Sequence, residues 1–178
     1  MEAIRNQYEK LGVAKFYQNF GNDYKNPHEP IIKIIVKEIC TSKKFDMSNI
    51  LDLAAGTGEV TRVLIQNGYT SVIGADPYTS EAYYQRTGIK PLIASFEDIQ
   101  AGILSSESYS LIICSFALHL LDPGRLPGLI FQLASITKHL VIITPNKRPD
   151  IKDEWGFELI EETLVQRVRM RVYKSTMI

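Results

Sequence analysis

The chain has 178 residues, 45% of them hydrophobic, and its 20 Lys and Arg are matched by 20 Asp and Glu for a formal net charge of +0 at pH 7. That length suits one domain with a substantial core, and the composition argues against disorder and against nucleic-acid binding driven by overall charge. No apolar stretch reaches the roughly 18 residues of a membrane span, and residues 1–10 (MEAIRNQYEK) lack both an apolar signal core and the Arg-rich, acid-poor character of a transit peptide. Cys40 and Cys114 both sit in apolar runs and read as buried thiols of a reducing compartment, which predicts a cytoplasmic or nuclear protein.

Residues 1–48 read as a helical segment, broken around GNDYKNPHEP (residues 21–30), where Gly, Asn and two prolines end one helix and cap the next. The following EPIIKIIVKEIC is apolar around most of its circumference and is expected to pack tightly. Five apolar runs then follow: residues 49–54 (NILDLA), 70–76 (TSVIGAD), 89–95 (IKPLIAS), 110–116 (SLIICSF) and 139–145 (HLVIITP). They are rich in Ile, Val and Leu without clean alternation, as parallel strands covered on both faces should be. Most are separated by helix-like segments, the first of them from about Glu59 to Asn67 and closed by Gly68. GFELIEE and LVQRVRMRVYK follow with hardly a gap, so they must pair as an antiparallel hairpin. The expected fold is a Rossmann-like α/β sheet of seven strands, five parallel plus a C-terminal antiparallel hairpin. Helices cover both faces, and residues 1–48 form a helical lid on a core at 49–178, all in one domain. Only about ten residues join the fifth strand to the hairpin, too few for a full crossover helix. An extended link or a single helical turn is expected there, leaving one face of the last strands thinly covered.

The stretch LDLAAGTGEVT (residues 51–61) combines a strand, a two-glycine turn and a helix start, a place where backbone can approach a ligand closely. A phosphate-cradling loop would need Gly-Lys-Ser/Thr after a four-residue spacer, and neither is present. A dinucleotide fingerprint would need a third glycine where Thr61 stands. Asp76 ends the second run twenty residues after Gly56, where a carboxylate can accept both hydroxyls of an adenosine ribose. Its alternative reading is a helix cap before YTSEAYY. Asp52 precedes the turn, and acids on both sides suit a cationic, phosphate-free adenosine such as S-adenosylmethionine.

LDLAAGTGEVT, VIGADP, SFEDI and LIICSFALHLLDP together resemble motifs I to IV of the class I S-adenosylmethionine-dependent methyltransferases, in order and spacing, over residues 49–174. The resemblance implies that Asp52, Ala54, Gly56 and Gly58 face the methionine moiety and that Asp76 binds the ribose, with Pro77 and Tyr78 flanking the adenine. It also implies S-adenosyl-L-methionine as cofactor and S-adenosyl-L-homocysteine as product. The acid usually presented to the adenine amino group is replaced by Ser95, so Ser95 itself, Glu97 or Asp98 takes that contact, together with the backbone N–H of Phe96. Cys114 and Ser115 would end the fourth strand beneath the methionine. His119 matches the first histidine of the LHHL-type sequences found in many small-molecule and some RNA methyltransferases, and reads either as a proton acceptor or as a loop-orienting group. No Pro-Pro-Tyr/Phe sequence follows that strand, which disfavours methylation of adenine or glutamine amino groups. No carboxylate cluster has metal-ligand spacing, so no metal is expected.

Tyr17, Tyr24, Asn26 and His28 surround the break in the lid and are candidates for the acceptor side, Tyr24 and His28 joining His119 as the catalytic set. Lys147 and Arg148 read as a rim suited to an anionic acceptor or as a solvated loop. Arg167, Arg169 and Arg171 alternate with Val168, Met170 and Val172, a stripe that pairs with Glu158, Glu161 or Glu162 across the hairpin or meets phosphate. A small-molecule acceptor is placed ahead of RNA or protein because no added recognition domain exists. A protein partner or a homodimer would use the hairpin face, and no membrane partner is expected. Two other classes stay open: a non-catalytic S-adenosylmethionine sensor or interaction subunit, and a nicotinamide-dependent oxidoreductase.

Overall fold

The computed structural model describes residues 26–178. Tyr17, Tyr24 and the rest of residues 1–25, which hold the first part of the expected lid, lie outside the described residues. Helix α1 (Glu29–Ser42) begins at the expected break. There the Asn26 side chain accepts the His28 N–H at 2.9 Å, and Pro30 falls in the first turn, where no N–H is needed. Its buried residues Ile32, Ile35, Val36, Ile39 and Cys40 keep the three-and-four spacing of a single stripe. The expected burial around most of the circumference is therefore confined to one face, and Lys33, Ile34 and Lys37 are exposed.

The order continues β1 (Ile50–Leu53), α2 (Glu59–Gln66), β2 (Val72–Ala75), α3 (Ser80–Thr87), α4 (Phe96–Gln100), β3 (Tyr109–Ser115), α5 (Leu126–Ile136), β4 (Thr137–Thr144), β5 (Phe157–Val165) and β6 (Val168–Ser175). The sheet order is β2-β1-β3-β4-β6-β5. Neighbours from β2 to β4 pair in parallel, and β6 runs antiparallel to both β4 and β5, so five strands share one direction. Six strands are present rather than the expected seven. The third run, residues 89–95, contributes a single bridge between Leu92 and Ala75. Pro91 has no N–H to give a ladder, and a helix cap begins at Ser95, so only Leu92 is left to pair.

Strand alternation divides the core in two. Leu111, Ile113, Val141 and Ile143 meet α1 and α2 on one face, while Ile112, Cys114, Leu140 and Ile142 meet α4 and α5 on the other. Covered on both sides, these strands have no polar face, which is why their sequences do not alternate. On the β2 edge, Gly74 lies under the ring of Tyr83, and a Cβ there would sit 2.5 Å from ring carbons and 2.6 Å from the hydroxyl. Gly74→Ala is therefore expected to destabilise the protein by about 2–3 kcal/mol through overpacking and displacement of that hydroxyl. Urea unfolding measures it, and an unchanged midpoint would show that the ring is not seated there.

The β4–β5 link contains only a 3-10 turn at Asp153–Trp155, with Ile151 buried beneath it, as the short spacing predicts. Where a crossover helix would lie, Arg171 pins the link instead. Its Nη1 and Nη2 donate to the carbonyls of Pro149 and Lys147 at 2.9 and 2.7 Å, and its Nε to Glu162 at 2.5 Å. Arg171 is therefore buried and committed to the fold, and Glu162, also within 3.6 Å of Arg169 Nε, is the partner across the hairpin. Cover is still thin: Leu159 and Leu164 remain 45% and 60% exposed. No described helix is long and apolar enough to cross a membrane.

Candidate active site

The carboxyl ends of the parallel strands open into a cavity of about 820 Å³. Its floor is the β1–α2 turn. Ala54 and Gly56 both take left-handed backbone at φ 55°, and both line the cavity. A side chain on Gly56 would project toward Oε2 of Glu59, 3.5 Å from the position of its Cβ, so the missing side chain is what keeps this floor open. Gly58 serves packing instead. It lies outside the lining at φ 87°, and a Cβ there would come within 2.6 Å of Thr87 Cγ2 on α3.

Asp76 follows the last residue of β2 and lines the cavity. Its Oδ2 accepts the Gly56 N–H at 3.0 Å, and its Oδ1 accepts those of Tyr78 and Thr79 at 2.9 and 3.1 Å. The carboxylate thus braces the glycine turn against the β2–α3 loop. Three of its roughly four acceptor positions are used, which leaves capacity for a ligand hydroxyl. Burial raises its pKa, opposed by these hydrogen bonds. Pro77 and Tyr78 line the same end, and so do Ser95, Phe96 and Glu97. Ser95 and Asp98 are joined in a capping box at the start of α4: Ser95 Oγ accepts the Asp98 N–H at 3.1 Å, and Asp98 Oδ2 accepts the Ser95 N–H at 2.9 Å. Asp98 is committed to the helix end and does not line the cavity, whereas Glu97 does.

Two predicted residues lie behind the wall. Asp52 is fully buried and outside the lining; its Oδ2 accepts the N–H and hydroxyl of Thr61 at 3.1 and 2.7 Å, and Thr61 Oγ1 lies 2.9 Å from the Tyr83 hydroxyl. Its Oδ1 is buried without a partner. Burial pushes the carboxyl up to about 8, so at neutral pH the group is mostly protonated and supplies no anion to a cation. The reason is strand alternation: Asp52 falls on the face that α2 covers, between Leu51 and Leu53 on the other. Cys114 is likewise buried outside the cavity, its thiol pushed up to about 12 by burial, while Ser115, one residue on, lines it.

Glu59 is the carboxylate that sequence reading missed. It is only 5% exposed and lines the cavity from the first turn of α2. In the sequence it is indistinguishable from an acid placed to complement a helix N-terminus.

The other half of the cavity is bounded by His28, Phe116, His119, Leu121, Asp122 and Asn146. The His28 ring stacks on Phe116 at 4.3 Å between centroids and 14° between planes, with Phe116 held at φ 52°. His119 lies on a 3-10 turn at Leu118–Leu120. Desolvation lowers the pKa of both histidines, and for His119 the proximity of His28 adds to it. Both rings are then mainly neutral at pH 7 and able to accept a proton. Lys147 and Arg148 are exposed and take no part in the lining. Among the described residues, Glu59, Asp76, Glu97 and Asp122 line the cavity without a single Lys or Arg. No group of three or more His, Cys, Asp or Glu among them is placed to hold a metal.

Fold and cavity together define a Rossmann-like α/β domain whose glycine turn faces carboxylates rather than a phosphate cradle. The family model of the methyltransferase domain matches residues 25–177, and the chain belongs to that family, as its resemblance to the class I S-adenosylmethionine-dependent methyltransferases implies. An uncharacterized protein of Schizosaccharomyces pombe is 27% identical over 97% of this chain and 92% of its own length. Among solved structures, magnesium protoporphyrin IX methyltransferase from Synechocystis, crystallised with S-adenosylmethionine, is similar in fold with a TM-score of 0.65 and 16% identity, over 97% of this chain and 95% of that one. The N-methyltransferase NodS from Bradyrhizobium japonicum, in complex with S-adenosylhomocysteine, gives a TM-score of 0.65 at 16% identity, over 85% and 89%.

Proposed function

We propose that the chain transfers a methyl group from S-adenosylmethionine to a small-molecule acceptor. The observation that carries this is the cavity itself. At about 820 Å³ it lies toward the upper end of small-molecule sites, leaving an acceptor compartment beside the adenosine end. The residues present fit this cofactor, since the floor is free of side chains at Gly56 and Asp76 keeps acceptor capacity beside it. The carboxylate lining also disfavours the pyrophosphate of a nicotinamide dinucleotide, which would meet like charge there. When bound, the cofactor supplies a methyl group already activated by its sulfonium centre.

The chain's residues then have three tasks. Asp76 and Glu97 orient the adenosine end; Ser95 and Phe96 complete the wall there, and Pro77 and Tyr78 flank the base. Phe116 and Leu121 present apolar surface to the acceptor compartment, and the His28 ring stacks on Phe116 at its edge. His119 takes the proton from the acceptor's nucleophilic N–H or O–H, and Asn26, Pro27 and His28 edge the cavity where α1 begins. A small acceptor without an anionic group suits a compartment where no described Lys or Arg reaches the lining.

Labelled cofactor incubated with fractionated cell extract tests this. Label is expected in the small-molecule fraction. Label confined to RNA or protein would reassign the acceptor, and binding with no label in any fraction would favour a sensor or interaction subunit. For His119→Ala, cofactor affinity is expected to change less than twofold while kcat falls by about 10²-fold. Because desolvation lowers the imidazole pKa, the neutral form survives to lower pH. The acid limb of the wild-type rate profile is therefore expected below about pH 6.5, and it should vanish in the variant.

A further inference from the structure

One guanidinium reaches segments that are far apart in the chain. Arg86, in the last turn of α3, donates from Nη1 to the Thr57 hydroxyl and, at 3.1 Å, to Oε1 of Glu59; its Nη2 donates to Oε1 of Glu29 at 2.7 Å. Thr57 sits between the two glycines of the turn and Glu59 opens α2, both of them buried. Glu29 is the first residue of α1, directly after His28, whose ring stacks on Phe116 at the acceptor end. Arg62 also reaches Glu29, at 3.0 Å, so the start of α1 is held from α2 and α3 together. Neither Arg86 nor Glu29 lines the cavity, so neither is placed to touch cofactor or acceptor.

Stability alone is a weak reason for the Arg86–Glu29 pair. The two side chains are 27% and 40% exposed, and ion pairs open to water are worth no more than about 1 kcal/mol. Geometry gives the pair another use, because a planar fork holds two acceptors in a fixed relation that a flexible ammonium does not. Resting on the cofactor reading above, we propose that Arg86 is a positioning residue that couples the glycine turn to the acceptor wall through Glu29. A ligand lying on Gly56 restrains Thr57 and Glu59, and these restrain Arg86. The guanidinium then holds Glu29, and with it the His28 ring against Phe116. Ordering supplied at one end need not be supplied again at the other, so cofactor and acceptor favour each other's binding without a large displacement. By reciprocity, a seated α1 start strengthens the hold on the cofactor.

Hydrogen exchange of the full chain, with and without saturating S-adenosylhomocysteine, tests the coupling. In the wild type this ligand is expected to slow exchange both at residues 54–62 and at residues 28–33. In Glu29→Gln the slowing at 54–62 should persist, while that at 28–33 shrinks by about threefold or more. Affinity for S-adenosylhomocysteine, measured by calorimetry, should fall by about two- to fivefold as the coupling is lost. Because the readout is the difference made by the ligand, a substitution that merely loosens α1 in both states leaves it intact. An undiminished response at 28–33 in the variant, an affinity equal to the wild type's, or no response there in the wild type overturns the proposal. Wild-type protein that does not bind S-adenosylhomocysteine removes the cofactor reading instead, so the two failures are separable. Should Glu29→Gln fail to fold, Arg86→Lys, which keeps the charge and loses the fork, carries the same comparison.

Discussion

Asp76→Ala is expected to weaken S-adenosylmethionine binding at least tenfold, about 1.4 kcal/mol. The ribose loses charge-assisted hydrogen bonds, but the larger part of the effect is local structure. The carboxylate ties the N–H groups of Gly56, Tyr78 and Thr79 together, and Thr79 Oγ1 in turn donates to the Gly56 carbonyl at 2.5 Å. Without it three amide donors near the cavity lose their acceptor, and the turn that forms its floor can relax. A fall in unfolding free energy of about 2–4 kcal/mol should accompany the loss of affinity. Asp76→Asn keeps one acceptor oxygen and should retain more of the stability than of the binding. Calorimetry with S-adenosylhomocysteine, beside urea unfolding, separates these effects; unchanged affinity in the alanine variant would place the ribose elsewhere.

Asp52→Asn is expected to change how stability depends on pH. In the folded chain the buried carboxyl holds its proton to about pH 8. In the unfolded chain it releases it near about pH 4. Between those values folding takes up a proton, so stability falls as pH rises, by at most about 1.4 kcal/mol per unit, and levels off once both states are ionised. Asparagine removes the titration while keeping an oxygen for Thr61. The variant should therefore gain on the wild type steadily from about pH 5 to about pH 8, by several kcal/mol in all. Parallel stability curves would mean that the Asp52 carboxyl titrates normally and is not sealed under α2.

Both predictions concern acids of one glycine turn that are alike in sequence and opposite in role. Asp76 is readable because it follows the last residue of a strand, where the chain leaves the sheet at its carboxyl end and points into the crevice. Asp52 lies inside β1, and which way it points depends on the register of that strand against β2 and β3. With both faces of the sheet covered, no hydrophobic alternation records the direction. Ser95 posed a similar problem. The sequence SFED contains a capping box, yet only the placed helix shows that Asp98 is spent on it and that Glu97 is not.

What the sequence determined by itself was local: the strand–turn–helix with backbone that needs glycine, the parallel run of apolar segments, the closing hairpin and the short link before it. Each follows from φ preferences, side-chain period or chain length, which act within a few residues. The tertiary structure decided everything that needs two distant segments at once. It reduced the third strand to a bridge, set His28 against Phe116, bound Arg171 to the β4–β5 link, and turned Glu59 rather than Asp52 toward the cavity. The physical reason is that a side chain's partner and degree of burial belong to the packing of the sheet with its helices, and no stretch of chain carries that information alone.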